Sequence, residues 1–306
     1  MTAFTKLLSI RIFLSCIGCI GNIILIFFIT HSHVKMSSIK SFEVFLLGLC
    51  VSNLEQILIV NIYDIIILED STAHPGNWSC RLLKFLTISG ELSSILFTVV
   101  ICIYRYEKVR DATERVNLPT HLDNTISAIF ISGFCFVLAF SLSAPIFVVN
   151  AHTHSENKTK AYCPPDFFNC NELHCPKENY AYKYSFVVIC NILPLFIVTL
   201  TSCLIISALF HQWKKVEPNA HERGTRHLGT LSRSTLAVLA VMGLFQVDWS
   251  LYLFLQLNFQ ASNVEFWNEM KFFASTSYTS ISPYVFGIGN HLFSIRHLAE
   301  SKCLCF

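Results

Sequence analysis

Charge is what this sequence lacks most. Only 14% of its residues are Asp, Glu, Lys or Arg, where a soluble domain carries about 25%. A polar surface large enough to enclose a soluble core cannot be built from so few charges. The remainder fits that exclusion: 53% of the residues are hydrophobic and the mean hydropathy is +0.52. A net charge of +2, with no basic tail, argues against nucleic acid as a partner. Glycine and proline are few, 11 and 9, and no Pro/Gly-rich linker, internal repeat or Gly-rich phosphate loop interrupts the chain. Histidine is almost missing from the long apolar stretches, so an intramembrane hydrolase, whose His and Asp ligands must converge inside the bundle, is not expected. His31, His33, His152, His154 and His174 fall outside those stretches. None forms the i, i+4 pair with an intervening acid that a zinc protease needs. No catalytic residue, metal site or cofactor is expected.

What the chain has is length of apolar run. Crossing a bilayer takes about 20 residues, and seven stretches qualify: 7–30, 42–68, 80–104, 125–149, 182–210, 231–257 and 269–290. The first exceeds the apolar region of a cleaved signal and lacks a small-x-small site, so it reads as a retained helix. The expectation is an all-α membrane protein, a single seven-helix domain over 1–306. A transporter is the competing class, but transporters often carry internal repeats and helices broken near mid-membrane.

Orientation follows from the loops. Segments 31–41, 105–124, 211–230 and 291–306 hold twelve Lys and Arg, whereas 1–6, 69–77, 150–181 and 258–268 hold four. The positive-inside rule therefore sets the N-terminus outside and the C-terminus in the cytoplasm. Both N-x-S/T sequons, at Asn77 and Asn157, fall in segments already assigned outside, where glycosylation occurs. Cys80, Cys163, Cys170 and Cys175 face the same oxidising side. Four cysteines admit three pairings. Cys303 and Cys305 end the cytoplasmic tail, where palmitoylation occurs. The other seven of the thirteen cysteines lie within helices as small apolar packing residues.

The third stretch carries a pattern. At 100° per residue, Cys80, Thr87, Glu91, Ser94, Thr98 and Arg105 project within roughly a 60° arc. Lipid cannot satisfy such a stripe, so it faces other helices or a cavity. Arg105 shares it and points inward, whereas Lys108 and Arg110 suffice as an interfacial collar. Glu55, Asp64, Glu91 and Asp248 are intramembrane acids, costly unless they meet water, a partner or a ligand. Asp248, Trp249, Tyr252 and Gln256 share one face of the sixth helix; Lys271, Ser275 and Tyr278 share one face of the seventh.

A cysteine opening the third helix, with Arg105-Tyr106 twenty-five residues on, resembles the rhodopsin-like G-protein-coupled receptors. Gly21-Asn22, Asn53-Leu54, Pro194, Phe245 with Trp249, and Ser282-Pro283 fit the same plan. "HLFSIRHL", 291–298, is similar to the family's short amphipathic eighth helix on the inner leaflet. The departures are Tyr104 where the family has an acid, Leu251 for a proline, Ser282-Pro283-Tyr284-Val285-Phe286 for the seventh-helix motif, and Asn53 for the sodium-site aspartate. Together with "LCVSNL", "AYC" and "TSYTSISPYVFGIGN" they resemble the vomeronasal type-1 receptors and the fish olfactory class A-like receptors.

The resemblance implies a plasma-membrane receptor of chemosensory neurons, with a small-molecule odorant or pheromone and a heterotrimeric G protein as partners. A non-chemosensory amine or peptide receptor is the alternative. Arg105 and Tyr106 would contact the G protein. Cys80 would pair with Cys163, leaving Cys170 with Cys175. With only six residues before the first helix, ligand would bind within the bundle. The candidate lining is Thr87, Gly90, Glu91, Ser94, Asn191, Trp249, Tyr252 and Ser275. Glu91 is the polar anchor for a donor-bearing or cationic ligand, with a structural ion pair as its equal alternative; Lys271 could neutralise an acid, or Lys183 and Lys271 could recruit a ligand carboxylate.

Overall fold

The computed structural model describes residues 3–32, 39–69, 77–114, 123–148, 177–216, 224–258 and 264–289. The described residues build seven helices. They are α1 (Ala3–Ser32), α2 (Ser41–Glu69), α3 (Asn77–Glu114) and α4 (Thr125–Ser143, closed by a 3₁₀ turn, Ala144–Phe147). Next comes α5, which runs through Lys177–Phe186, a π-helical segment Val187–Ile192 and Leu193–Val216. The last two are α6 (Gly224–Asn258) and α7 (Val264–Gly289).

Local chemistry sets several boundaries. The Lys40 amide donates to Glu43 Oε2 at 2.9 Å, so an acid in the first turn of α2 satisfies a free N–H and meets the positive helix end. Asn124 caps α4 by accepting the Ile126 amide at 3.0 Å. Within α5, Pro194 has no N–H to give to the turn before it, and the chain there widens into the π segment. Helix α3 continues ten residues past the expected end of its span at 104, because Glu107, Lys108, Arg110 and their neighbours are good helix formers outside lipid as well.

Helix α3 is the axis of the bundle and packs on α2, α4, α5 and α6. Helix α1 packs on α2 and α7, and α7 packs on α6. Glycine permits the α1–α7 approach: a Cβ on Gly18 would sit 3.2 Å from the Ser280 Cα. Helix α4 is the opposite extreme, with Phe130 and Phe134 exposed on its outer face, as lipid demands. Among the described residues, six helices are long and apolar enough to cross a membrane, and α7 is not one of them. Its Ser275, Thr276, Ser277, Thr279, Ser280 and Ser282 lower its hydropathy. Several of these hydroxyls bond to carbonyls of α7 itself or to neighbouring helices, as with Ser280 to the Leu14 carbonyl at 3.1 Å. A polar helix is stable in that position because the bundle, not lipid, receives its polar groups.

Candidate functional site

The polar stripe of α3 faces inward over its described length. Thr87 and Glu91 are half-buried, and Ser94, Thr98 and Arg105 are buried. Its members nevertheless do different things. Thr87 donates to the Leu83 carbonyl at 2.9 Å, within its own helix. Glu91 lies within electrostatic reach of Cys190 on the π segment of α5. Next to Cys190, the Asn191 side chain is only 4% exposed, and its Nδ2 has no hydrogen-bond partner among the described residues. Trp249 and Tyr252 form a T-shaped pair at 5.0 Å on α6, both buried. Ser275 is half-buried and turned to the Phe272 carbonyl at 3.4 Å. Gly90 faces α2: a Cβ there would lie 3.2 Å from the Gln56 amide nitrogen. It sets the distance between two helices.

Ser94 belongs to a cluster that joins four helices. Its Oγ donates to Asn53 Oδ1 at 2.7 Å. Asn53 Nδ2 donates in turn to Asn22 Oδ1 at 3.2 Å and to Ser282 Oγ at 3.4 Å. Asn22 Nδ2 donates to the Gly18 carbonyl at 2.8 Å and the Thr279 carbonyl at 3.0 Å. The amide of Asn53 thus both accepts and donates, which a carboxylate cannot do. Next along the stripe, Thr98 and Tyr278 share a hydrogen bond between α3 and α7. On α6, Asp248 is 9% exposed and accepts from Ser277 Oγ at 2.7 Å, tying α6 to α7. Sequence reasoning named Asp248 but not Ser277, since nothing in the serine-rich α7 distinguishes one hydroxyl from the next.

About 16 Å further along α3, by helix rise, the surroundings change from amides to rings. Arg105 is 8% exposed, and its guanidinium carbon stands 3.7 Å from the centroid of the Phe42 ring. Tyr104 stacks on Phe42 at 5.9 Å and meets Phe45 edge-on at 5.9 Å. Phe286 meets Phe42 edge-on at 6.4 Å. The Tyr104 hydroxyl donates to Asp123 at 3.2 Å, and Lys108 pairs with the same carboxylate. Tyr106 is half-buried, with Arg110 over its ring at 5.9 Å. Phe42 is the residue sequence reasoning missed: it stands in the first turn of α2, and no helical period links it to Arg105.

Other expectations fall outside the described residues: Cys163, Cys170, Cys175, Asn157 and the amphipathic segment 291–298, together with the side chains of Cys80, Asn77, Asp64, Gln256 and Lys271. Among the helix cysteines, Cys50, Cys102, Cys135 and Cys190 are buried, while Cys16 and Cys203 are exposed. Among the described residues, no group of three His, Cys, Asp or Glu stands close enough to hold a metal ion.

A bundle of seven helices around α3, with an inward arginine and polar ties from α1, α2 and α7, is the architecture of a seven-helix membrane receptor. Residues 21–285 match the 7 transmembrane receptor (rhodopsin family), and the chain belongs to that family. It is therefore a multi-pass membrane protein that signals through G proteins. Comparison with curated proteins gives no match.

Proposed function

We propose that this receptor is chemosensory and detects a small organic odorant or pheromone-like molecule within the bundle. Its N-terminus lies outside, it resides in the plasma membrane of sensory neurons, and Arg105 and Tyr106 contact the G protein when the helices part. The subfamily resemblance to vomeronasal type-1 and fish olfactory class A-like receptors supports the sensory role. The lining comprises Thr87, Gly90, Glu91, Ser94, Asn191, Trp249, Tyr252 and Ser275. Gly90 and Ser94 contribute by fixing α2 against α3, and the remainder contribute chemistry.

The observation that carries this reading is Asn191. A buried amide donor without a partner is costly, and π-helical turns are frequent at functional sites. With Glu91 supplying an acceptor nearby and Trp249 and Tyr252 supplying apolar surface, the set has the composition of a small-molecule site. The anchor is Glu91. Matched amines, alcohols and hydrocarbons on one carbon skeleton test it by concentration–response on wild type, Glu91→Gln and Glu91→Ala. A cationic amine loses about 10- to 100-fold in potency with Glu91→Gln, the range of a charged hydrogen bond, and an alcohol loses only a few-fold. Unchanged curves for both variants with every active probe would remove Glu91 from the site.

A further inference from the structure

We infer that Phe42 is the positioning residue that keeps Arg105 shut within the bundle, and so sets how much of the receptor is active without ligand. The inference rests on the reading that Arg105 contacts the G protein.

Stacked 3.7 Å from the Phe42 centroid and 8% exposed, the Arg105 guanidinium is not presented to a partner protein. Coupling through Arg105 therefore requires it to leave the ring. This is the shortest of the cation–ring contacts among the described residues, and it is desolvated, the condition under which such contacts are strongest. The ring cannot swing to follow its guest, because Tyr104 stacks on it and Phe286 abuts it from α7. Phe42 is thus fixed by α3 and α7 while it holds a residue of α3.

The chemistry suits a latch that must open. When a guanidinium leaves a buried carboxylate, an uncompensated charge remains behind, which is strongly unfavourable. When it leaves a phenyl ring, nothing charged remains, and the ring keeps its contacts with Tyr104 and Phe286. Leaving the ring therefore strands no charge on Phe42, which lowers the cost that a ligand bound elsewhere in the bundle has to meet.

The test needs no ligand. Purified receptor in lipid nanodiscs is combined with the heterotrimer, from a panel of Gα classes, that gives the highest exchange on wild type. Spontaneous GTPγS uptake is then measured at matched amounts of monodisperse receptor. Phe42→Leu keeps an apolar side chain but no π face, and raises exchange about tenfold. Phe42→Tyr keeps the ring and stays near the wild-type rate, which a requirement for bulk alone does not explain. Phe286→Leu, which loosens the ring without removing it, gives a smaller rise and serves if Phe42→Leu does not fold. Adding Arg105→Ala to any of these returns exchange to the rate of the G protein alone. Equal exchange in wild type, Phe42→Leu and Phe286→Leu, with Arg105→Ala still silent, overturns the latch and leaves Arg105 as the coupling residue. A rise in Phe42→Leu that survives Arg105→Ala overturns it too, since Phe42 would then act through another group. If Arg105→Ala alone matches wild type in exchange above the G-protein rate, the coupling role of Arg105 fails and the latch fails with it.

Discussion

Midway along α3 the bundle is tied by directional hydrogen bonds, whereas at the Arg105 end it is tied by rings. Around Asn53, the contacts with Ser94, Asn22 and Ser282 span four helices, and each depends on a particular donor and acceptor. Around Phe42, the contacts with Arg105, Tyr104 and Phe286 depend on faces and edges. The first arrangement cannot open without exposing unpaired polar groups to hydrocarbon, which costs several kcal/mol per group. The contacts among the rings themselves can part without that loss. One region is built to persist and the other to change, although both lie on the same inward face of one helix.

Substitutions separate these roles. The largest effect on stability is expected at Asn53. Asn53→Leu strands the Ser94 hydroxyl and removes the donors to Asn22 and Ser282, and lowers stability by about 3 kcal/mol, from roughly 1–3 kcal/mol per orphaned group. Thermal unfolding in detergent measures it, and a loss under about 1 kcal/mol would show that water or rearrangement replaces the amide. A smaller loss is expected between α6 and α7. Ser277→Ala removes the donor to Asp248 and costs about 1 kcal/mol, while Asp248→Asn keeps an acceptor there and costs less. The reverse order would show that the charge of Asp248, not its hydrogen bond, matters. The smallest effect belongs to Gln246, which donates to Thr199 at 3.3 Å on the exposed seam between α5 and α6. Gln246→Leu should change stability by about 0.5 kcal/mol, and a change several times larger would make that seam part of the persistent region.

Six of the seven helices are apolar enough to mark themselves as spans, because length and hydropathy are local properties, whereas the hydroxyl-rich α7 falls short by that measure. The inward face of α3 was legible for the same reason, since a helix repeats every 3.6 residues. Gly90 shows the limit of that reading. One residue before Glu91 it is rotated by about 100°, so it turns to Gln56 of α2 while its neighbour lies within electrostatic reach of Cys190 on α5. Helix α3 also runs to Glu114, since the loss of hydropathy after Tyr104 ends lipid contact, not helix. Partners on different helices were the least legible. Asn53 and Ser94 are forty-one residues apart and Asp248 and Ser277 twenty-nine, and no periodicity within one helix encodes a pairing between two. Phe42 illustrates it best: a phenylalanine in an apolar run carries no mark that it will receive a guanidinium.

The most direct measurement takes Asn53→Leu and Phe42→Leu side by side and reads both the unfolding temperature and ligand-free nucleotide exchange on each preparation. If persistence and switching are divided between the two regions, the effects cross. Asn53→Leu then loses most of the stability without a gain in exchange, and Phe42→Leu gains about tenfold in exchange with little loss of stability. If both variants lose stability and gain exchange in proportion, the two regions are one cooperative unit and the division is wrong.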